Sequence, residues 1–281
     1  MAVKVIADTT AGLSAAYLEQ HHVPLIPQII VFGESSYRDD TEIDTKTFLE
    51  KLQSSEKMPK TAAPPPALYG PVYQELLDAG HTCLVVAPSA AVSGTVRSAE
   101  VAAQEFPGAD IHVFDTRLIA GPLATMVTEA VRLAEQGEDV ESIKSYLEAM
   151  SRRMRVYFVV DTLEYLEKNG RIGGASALIG KVLDIKPILT MVDGQVDAYA
   201  KERTHKKAMK RISKLVKSEY PQKQNGHLSL MHGDALEEVQ TLAEHFKRTL
   251  GVSDIPIYEL PPAILTHAGP GVLAVSYYAK A

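Results

Sequence analysis

The chain has 281 residues, of which 46% are hydrophobic and 23% charged. This composition is close to that of an average soluble globular protein and argues against disorder, collagen and coiled coil. The length suffices for about two domains, so neither disulfides nor metals are needed to hold the fold. Lys and Arg number 29 against 35 Asp and Glu, a formal net charge of −6. Because binding to a phosphate backbone draws on excess positive charge, we expect no nucleic-acid partner.

The N-terminal sequence and the single cysteine indicate in which cellular compartment the protein is found. The chain reaches Lys4 and Asp8 almost at once, which leaves no apolar core for a signal peptide, and no run approaches the ~18 apolar residues of a membrane span. Cys83 lies in an apolar run, where a strand would bury it as an inert hydrophobic side chain. We therefore expect a cytoplasmic protein.

The first half of the sequence alternates short apolar runs with helical patterns. Residues 3–7, 83–87 and 111–114 predict strands, each followed by a polar turn and a helix. Such alternation is typical of βαβ units in a doubly wound parallel sheet, in which ligands bind at the carboxyl ends of the strands. The polar residues expected at those ends are Asp8, Ser89, Ser93 and Asp115.

The run PKTAAPPPALYGP at residues 59–71 is too rich in proline for a helix or a central strand before about Leu68. We expect it to form an extended surface or crevice segment.

The second half of the sequence has a different pattern. A strand over residues 156–160 follows a long helical stretch, so we place a domain boundary between residues 155 and 156, giving domains 1–155 and 156–281. Asp193-Gly194 lies between two strand patterns and predicts a hairpin. These features predict an α/β protein of two domains, the first with a doubly wound parallel sheet and the second with a mixed sheet. The remaining predicted elements are helices over 204–220 and 234–250 and strands over 228–231, 255–260 and 272–278.

Ser93-Gly94-Thr95 opens a predicted helix just after a strand and a short loop. Free backbone N–H groups and the positive end of a helix favour an anion there, and both hydroxyls can donate hydrogen bonds. The motif is either an anion-binding site or an ordinary N-cap. A G-x-S-x-G nucleophile elbow is disfavoured because Ala91 and Thr95 occupy its glycine positions.

Three further polar residues are candidates for ligand binding. Thr61 adds a hydroxyl to the rigid proline segment. His267, in THAGPGV, could hydrogen-bond a ligand acid or only the backbone of its own turn. Arg171, in KNGRIGG, suits either a helix break or a guanidinium directed at a carboxylate or phosphate.

Common metal and nucleotide motifs do not occur in the sequence. The nine histidines form no H-x-x-x-H pair, and neither a P-loop nor a G-x-G-x-x-G loop is found. We therefore expect no metal and no cofactor. The helix predicted after Thr204 is amphipathic, with lysines on one side, so that face is either solvated or meets an acidic partner or, transiently, a membrane surface.

Seven segments in order resemble the DegV family and cover nearly the whole chain. They are VKVIADTTAGLS, YRDD followed by FLEKLQ, KTAAPPP, SGTVRSAEVAA, VFDTRLIAGP, YLEKNGRIGGASALIGKVLDIKPIL and THAGPGVLAVSY. The resemblance implies a carrier that buries a long-chain fatty acid between its two domains. It also implies a partner, the catalytic subunit of a fatty acid kinase, which converts the presented carboxylate into an acyl phosphate.

The resemblance assigns roles to individual residues. Thr61 and Ser93 would hold the carboxylate, His267 would lie near them, and Arg171 would belong to this network or to the surface that faces the kinase. The family often has a serine directly after the threonine and another within the prolines, whereas Ala62 and Ala63 stand here, so we expect a changed headgroup network. The ligand-binding residues implied are Thr61, Ser93, Gly94, Thr95, Arg171 and His267.

Two other functions stay open from the residues alone. Ser93 and His267 could serve a hydrolase or acyltransferase, or the same polar groups could belong to a sensor of a small anion.

Overall fold

The computed structural model describes residues 2–179, 185–221 and 226–280. Residues 180–184 of the predicted segment YLEKNGRIGGASALIGKVLDIKPIL lie outside the described residues. The strands are β1 (Val3–Asp8), β2 (Leu25–Ile26), β3 (Ile29–Phe32), β4 (Ser35–Arg38), β5 (Lys60–Ala62), β6 (Thr82–Ala87), β7 (Ile111–Asp115), β8 (Met154–Val159), β9 (Lys186–Val192), β10 (Gln195–Glu202), β11 (Ser229–His232), β12 (Ile257–Glu259) and β13 (Leu273–Tyr278). The α-helices are α1 (Ala15–Gln20), α2 (Thr45–Ser54), α3 (Tyr69–Asp78), α4 (Thr95–Ala103), α5 (Ala120–Glu135), α6 (Val140–Arg153), α7 (Glu164–Lys168), α8 (His205–Glu219), α9 (Leu236–Leu250) and α10 (Pro262–Ala268).

The first sheet is parallel, with strand order β2-β1-β6-β7. Its central strand β6 is buried along its whole length. Successive side chains of a strand point to opposite faces, so Cys83 and Val85 pack with α3 and α4, whereas Leu84 and Val86 pack with α5 and α6. Helices therefore cover both faces, which confirms the predicted doubly wound sheet. Cys83 is buried, as its apolar run predicts.

The second large sheet is mixed, with strand order β10-β9-β8-β13-β11-β12. Only the β11–β12 pair is parallel among its described pairs. Asp193 and Gly194 both have positive φ, at 47° and 78°, and form the predicted hairpin turn between β9 and β10. Helices α8 and α9 cover one face of the sheet. The structure confirms the fold class predicted from the sequence, an α/β protein with one parallel sheet and one mixed sheet.

Helix α8 shows the amphipathic division that the sequence predicts. Thr204 caps it by accepting a hydrogen bond from Lys207 N, and Ala208, Ile212 and Val216 are buried against the sheet. In the described parts of the chain, no helix is both long enough and apolar enough to cross a membrane.

A third, antiparallel sheet of strand order β4-β3-β5 has no counterpart among the predicted elements. Its edge strand β5 lies at the start of the proline-rich segment, for which the sequence excludes a helix or a central strand and predicts an extended conformation. β5 can pair because none of its residues 60–62 is a proline and because it lies at a sheet edge. Ile30 and Phe48 of this region pack in the same core as Phe158 and Val160 of the second half.

Candidate ligand-binding site

A cavity lies between the first sheet, the three-stranded sheet and the face of the six-stranded sheet that α8 and α9 leave open. About 960 Å³ of space free of protein atoms lies within it, including solvent at its opening. Most of its wall is apolar and includes Phe158, Met191, Met231, Ile264 and Ala274. In the described part of the chain, no carboxylate lines it. The polar lining residues are Thr10, Gln28, Thr61, Ser93, Arg171 and His267.

Ser93 and Gly94 lie in the loop between β6 and α4, at the carboxyl end of the central strand. Gly94 is the N-cap residue of α4, and a Cβ atom added to it would come within 3.1 Å of the Ala63 Cβ. This close approach brings the Ser93 loop against the segment that carries Thr61. Both predicted loops therefore contribute to one polar region of the cavity.

Thr95 does not line the cavity, in contrast to the role that the resemblance implies for it. It is fully buried at the start of α4, and its Oγ1 lies 2.9 Å from Ser93 Oγ. The Thr95 N–H also donates to Ser93 Oγ at 3.3 Å. The structure thus places Thr95 behind Ser93, as a support for that hydroxyl.

A buried carboxylate, Asp8, holds the next layer of this network together. It accepts hydrogen bonds from Thr10 N at 2.7 Å, Thr10 Oγ1 at 2.5 Å and Gln28 Nε2 at 2.5 Å, and its Oδ2 lies 3.2 Å from Thr95 Oγ1. Burial raises the pKa of Asp8 above its ordinary value, and these hydrogen bonds oppose the rise. We call Asp8, Gln28, Ser93 and Thr95 the Ser93 side of the cavity.

Asp39 is a second carboxyl group close to this network. Its Oδ1 accepts from Gln28 N at 2.8 Å, while its Oδ2 is buried without a hydrogen-bond partner. Burial raises the pKa of Asp39 to about 7, and the nearby negative charge of Asp8 adds to the rise. Neither Gln28 nor Asp39 is identified as a site residue from the sequence: Gln28 stands in no motif, and the YRDD segment that contains Asp39 supports the resemblance without assigning that residue a role.

Thr61 and His267 form the opposite side of the polar region, which we call the Thr61 side. Thr61 Oγ1 and His267 Nε2 lie 2.8 Å apart although 206 positions separate them in the sequence. His267 stands in the last turn of α10, whereas its motif predicted a turn. The strand β5 carries Thr61, and β5 pairs with β3 so that Thr61 stands opposite Ile30.

The environment of His267 fixes its protonation. Burial and, to a smaller extent, the positive charge of Arg171 together lower the pKa of His267 to about 4, so the ring is neutral at pH 7. Nδ1 is buried without a hydrogen-bond partner. An unpaired acceptor is tolerated better than an unpaired N–H, so the proton belongs on Nε2, which donates to Thr61. The Thr61 hydroxyl is then free to donate to a ligand.

Arg171 lies just after the end of a helix, with its side chain at the cavity wall. Gly170, at a φ of 69°, follows α7 and ends it. The Arg171 guanidinium lines the cavity and donates from Nε to Val92 O at 3.1 Å and from Nη1 to Asn169 O at 2.7 Å. Within the described ranges, no carboxylate forms an ion pair with it, so its positive charge is available to an anion.

The hairpin between β9 and β10 closes the cavity on the side of the Ser93 loop. Ser89 Oγ donates to Gly194 O at 2.8 Å, and Met191 and Val196 of the hairpin line the cavity. Gly173 has a φ of 50°, and a Cβ atom there would lie 2.2 Å from Val196 O. A glycine at this position is therefore required for the close contact between the Arg171 segment and the hairpin.

The two alanines that depart from the family pattern, Ala62 and Ala63, have different environments. Thr61 and Ala63 line the cavity, whereas Ala62 does not and is exposed. This difference follows from the alternation of side chains along β5 and its continuation. The absence of a hydroxyl at position 62 therefore does not change the polar groups that line the cavity.

Comparisons with known proteins agree on one family. A family model described as "Uncharacterised protein, DegV family" matches residues 2–280. The chain belongs to the DegV family. A curated relative, the protein DegV of Bacillus subtilis, is 30% identical over 281 residues, covering all of both chains.

Solved structures of the DegV family are similar to this chain over its whole length. One from Thermus thermophilus, described as showing the fatty acid binding of a DegV family protein, has 32% identity and a TM-score of 0.92, with all of both chains covered. The fatty acid binding protein DegV of Bacillus subtilis has 30% identity and a TM-score of 0.90, again with full coverage. A stearic acid-binding protein from Eubacterium ventriosum has 25% identity and a TM-score of 0.89, covering 99% of this chain and 98% of that one.

Proposed function

We propose that this DegV protein binds a long-chain fatty acid in the cavity and presents its carboxylate to a separate kinase subunit, which forms the acyl phosphate. The observation that carries the proposal is the combination of an apolar wall with one region of uncharged hydrogen-bond donors and a single guanidinium. The relatives described as fatty acid binding support the same ligand class.

The apolar wall can supply the affinity. Burial of a palmitoyl chain contributes on the order of 12 kcal/mol at about 0.8 kcal/mol per methylene, before the costs of ordering and association. Tight binding therefore needs few polar contacts along the chain.

The polar region can take up the carboxylate. An ionised carboxylate removed from water needs several donors to replace its hydration. Thr61 and Ser93 supply hydroxyls, and Arg171 supplies a positive charge that no described carboxylate neutralises. The same charge would favour the additional negative charge that the headgroup gains when it becomes an acyl phosphate.

The chemistry of phosphoryl transfer fits better on a partner than on this chain. The sequence has no phosphate-binding glycine loop, and neutral hydroxyls and a neutral imidazole position a carboxylate without attacking it. In this proposal the kinase subunit supplies ATP and the catalytic groups, and this chain is the carrier.

The geometry does not favour the hydrolase or the small-anion sensor. Ser93 Oγ bonds to Thr95, and His267 Nε2 bonds to Thr61, so a catalytic pair of Ser93 and His267 is not formed in the described structure. The largely apolar wall suits an aliphatic chain better than a small polar anion.

The proposal is tested by native mass spectrometry of the protein expressed in bacteria. We expect a mass increase that matches a long-chain fatty acid, loss of that mass on delipidation, and its return when palmitic, stearic or oleic acid is added. With a fatty acid kinase subunit and ATP, the loaded protein should yield acyl phosphate. A delipidated, folded protein with no affinity for any of these acids would refute the proposal.

A further inference from the structure

The layer of polar residues behind Ser93 determines the direction of its hydrogen bonds. We propose that Asp8 and Gln28 orient the Thr95 hydroxyl so that it donates a hydrogen bond to Ser93. The Ser93 hydroxyl then donates its own hydrogen bond to the fatty-acid carboxylate. This inference rests on the proposed function. Asp8 and Thr95 do not line the cavity, so they are positioning residues that act through Ser93.

The carboxamide of Gln28 fixes the first step. Its Nε2 lies 2.5 Å from Asp8 Oδ2 and 2.8 Å from Thr95 Oγ1. The amide nitrogen has two hydrogens, and these two contacts use both. A reversed amide would place its oxygen against the Asp8 carboxylate, so the contact with Asp8 sets the orientation of Gln28. Thr95 Oγ1 is then an acceptor from Gln28 and must direct its single hydrogen elsewhere.

Two acceptors lie within reach of the Thr95 hydrogen. Ser93 Oγ is 2.9 Å from Thr95 Oγ1, and Asp8 Oδ2 is 3.2 Å away. Asp8 already accepts two hydrogen bonds from Thr10 and one from Gln28, so it does not depend on Thr95. The hydrogen therefore goes to Ser93 by the shorter contact.

The direction of this hydrogen decides what Ser93 offers the ligand. When Thr95 donates to Ser93, the Ser93 oxygen is occupied on its inner side and its own O–H is free for the cavity. With the opposite order, Ser93 would donate to Thr95 and present only lone pairs, which repel a carboxylate. The hydrogen-bond order thus selects an ionised acid over a neutral alcohol.

The test uses palmitate labelled with ¹³C at the carboxyl carbon and, as a neutral ligand, 1-hexadecanol. Thr95→Val keeps the shape of the side chain and removes its hydroxyl. We expect palmitate to bind about tenfold more weakly, while hexadecanol affinity changes by less than about twofold. In the NMR titration, the bound carboxyl of the variant should protonate at a higher pH than in the wild type.

Further variants separate positioning from a general loss of structure. Thr95→Ser retains the hydroxyl, so its palmitate affinity and the titration of the bound carboxyl should match those of the wild type. Gln28→Leu should shift the palmitate affinity and the titration in the same direction as Thr95→Val, because it leaves the Thr95 hydroxyl free to point either way, and it serves as the test if Thr95→Val does not fold. Because Gln28 also lines the cavity, an unchanged hexadecanol affinity is required to show that the effect is not a direct one on the ligand. Thr125→Val is the matched control, because Thr125 is a buried helical threonine outside the cavity whose Oγ1 bonds to Gly121 O.

Three outcomes would overturn the inference. The first is unchanged palmitate affinity and titration in folded Thr95→Val or Gln28→Leu protein. The second is an equal loss for palmitate and hexadecanol. The third is the absence of palmitate binding to the wild type, which would refute the proposed function as well and is recognised before any variant is made.

Discussion

Thr61 and Ser93 both line the polar region of the cavity, but they are supported in different ways. The Ser93 side is built entirely within the first half of the chain and ends in the buried carboxylate of Asp8. The Thr61 side joins a strand of the first half to His267 in α10 of the second half. The contacts that support the Ser93 hydroxyl therefore all lie within the first half of the chain, whereas those that support the Thr61 hydroxyl need both halves.

This difference has a functional consequence. The residue behind Ser93 is a threonine, which does not titrate, whereas the residue behind Thr61 is a histidine with a pKa of about 4, which becomes protonated in acid. Because the Thr61 side depends on packing between the halves, we expect it to respond to pH and to changes in the contact between the halves. The Ser93 side should respond mainly to substitutions within its own network.

Removal of both hydroxyls should have the largest effect. Each hydrogen bond to a charged group contributes about 1.5–3 kcal/mol, so Ser93→Ala should weaken fatty-acid binding at least tenfold and leave the fold intact. Adding Thr61→Val should bring the total loss to about a thousandfold. Displacement of a fluorescent fatty acid measures both. A double variant no weaker than Ser93→Ala would mean that Thr61 does not contribute to headgroup binding.

Gly173→Ala should destabilise the protein by about 3 kcal/mol or more, because the new Cβ would lie 2.2 Å from a backbone oxygen of the hairpin. Gly33→Ala is the matched control. Gly33 also has a positive φ, of 60°, but a Cβ there meets nothing within 4 Å, so only the backbone cost of about 1–2 kcal/mol applies. Urea denaturation gives both values. Equal losses would show that the hairpin is not held by close contact with Gly173.

His267 should make the ligand-free protein less stable in acid. The pKa of His267 is about 4 in the folded protein against an ordinary value of 6.5. Between these two values the unfolded chain binds a proton that the folded protein does not, so stability falls as the pH is lowered from about 6.5 to 4. His267→Gln should reduce this fall by on the order of 2 kcal/mol.

The matched control for the acid dependence comes from the Ser93 side. Ser93→Ala removes no titratable group, and its unfolding free energy should run parallel to that of the wild type across this pH range. A parallel curve for His267→Gln would show that His267 is not held neutral by burial.

Ala63→Ser should have the smallest effect. It adds a hydroxyl to the cavity wall next to Thr61, and we expect fatty-acid affinity to rise about threefold. Ala62→Ser, on the exposed side of the same segment, should leave the affinity unchanged. Isothermal titration calorimetry distinguishes the two variants. An equal effect of both would contradict the assignment of Ala63 alone to the cavity.

Much of the fold follows from local patterns in the sequence. The strands around residues 3–7 and 83–87 and the turn at Asp193-Gly194 occur where periodicity and turn chemistry predict them. Residues 29–38, which form β3 and β4, carried no prediction; β4 is mostly polar and gives no apolar run. Gln28 stands between the short strands β2 and β3 and has no motif, so its role is visible only from its contacts with Asp8 and Thr95.

The sequence by itself determined most of the strands of the two large sheets and placed Ser93 and Gly94 in a loop at the carboxyl end of a buried strand. Local periodicity suffices for this because each element buries one repeating set of side chains. Only the tertiary structure decided that His267 supports Thr61, that Thr95 stands behind Ser93, and that Ala63 and not Ala62 lines the cavity. Contacts between segments 206 positions apart depend on how sheets and helices pack, and no local pattern records that packing.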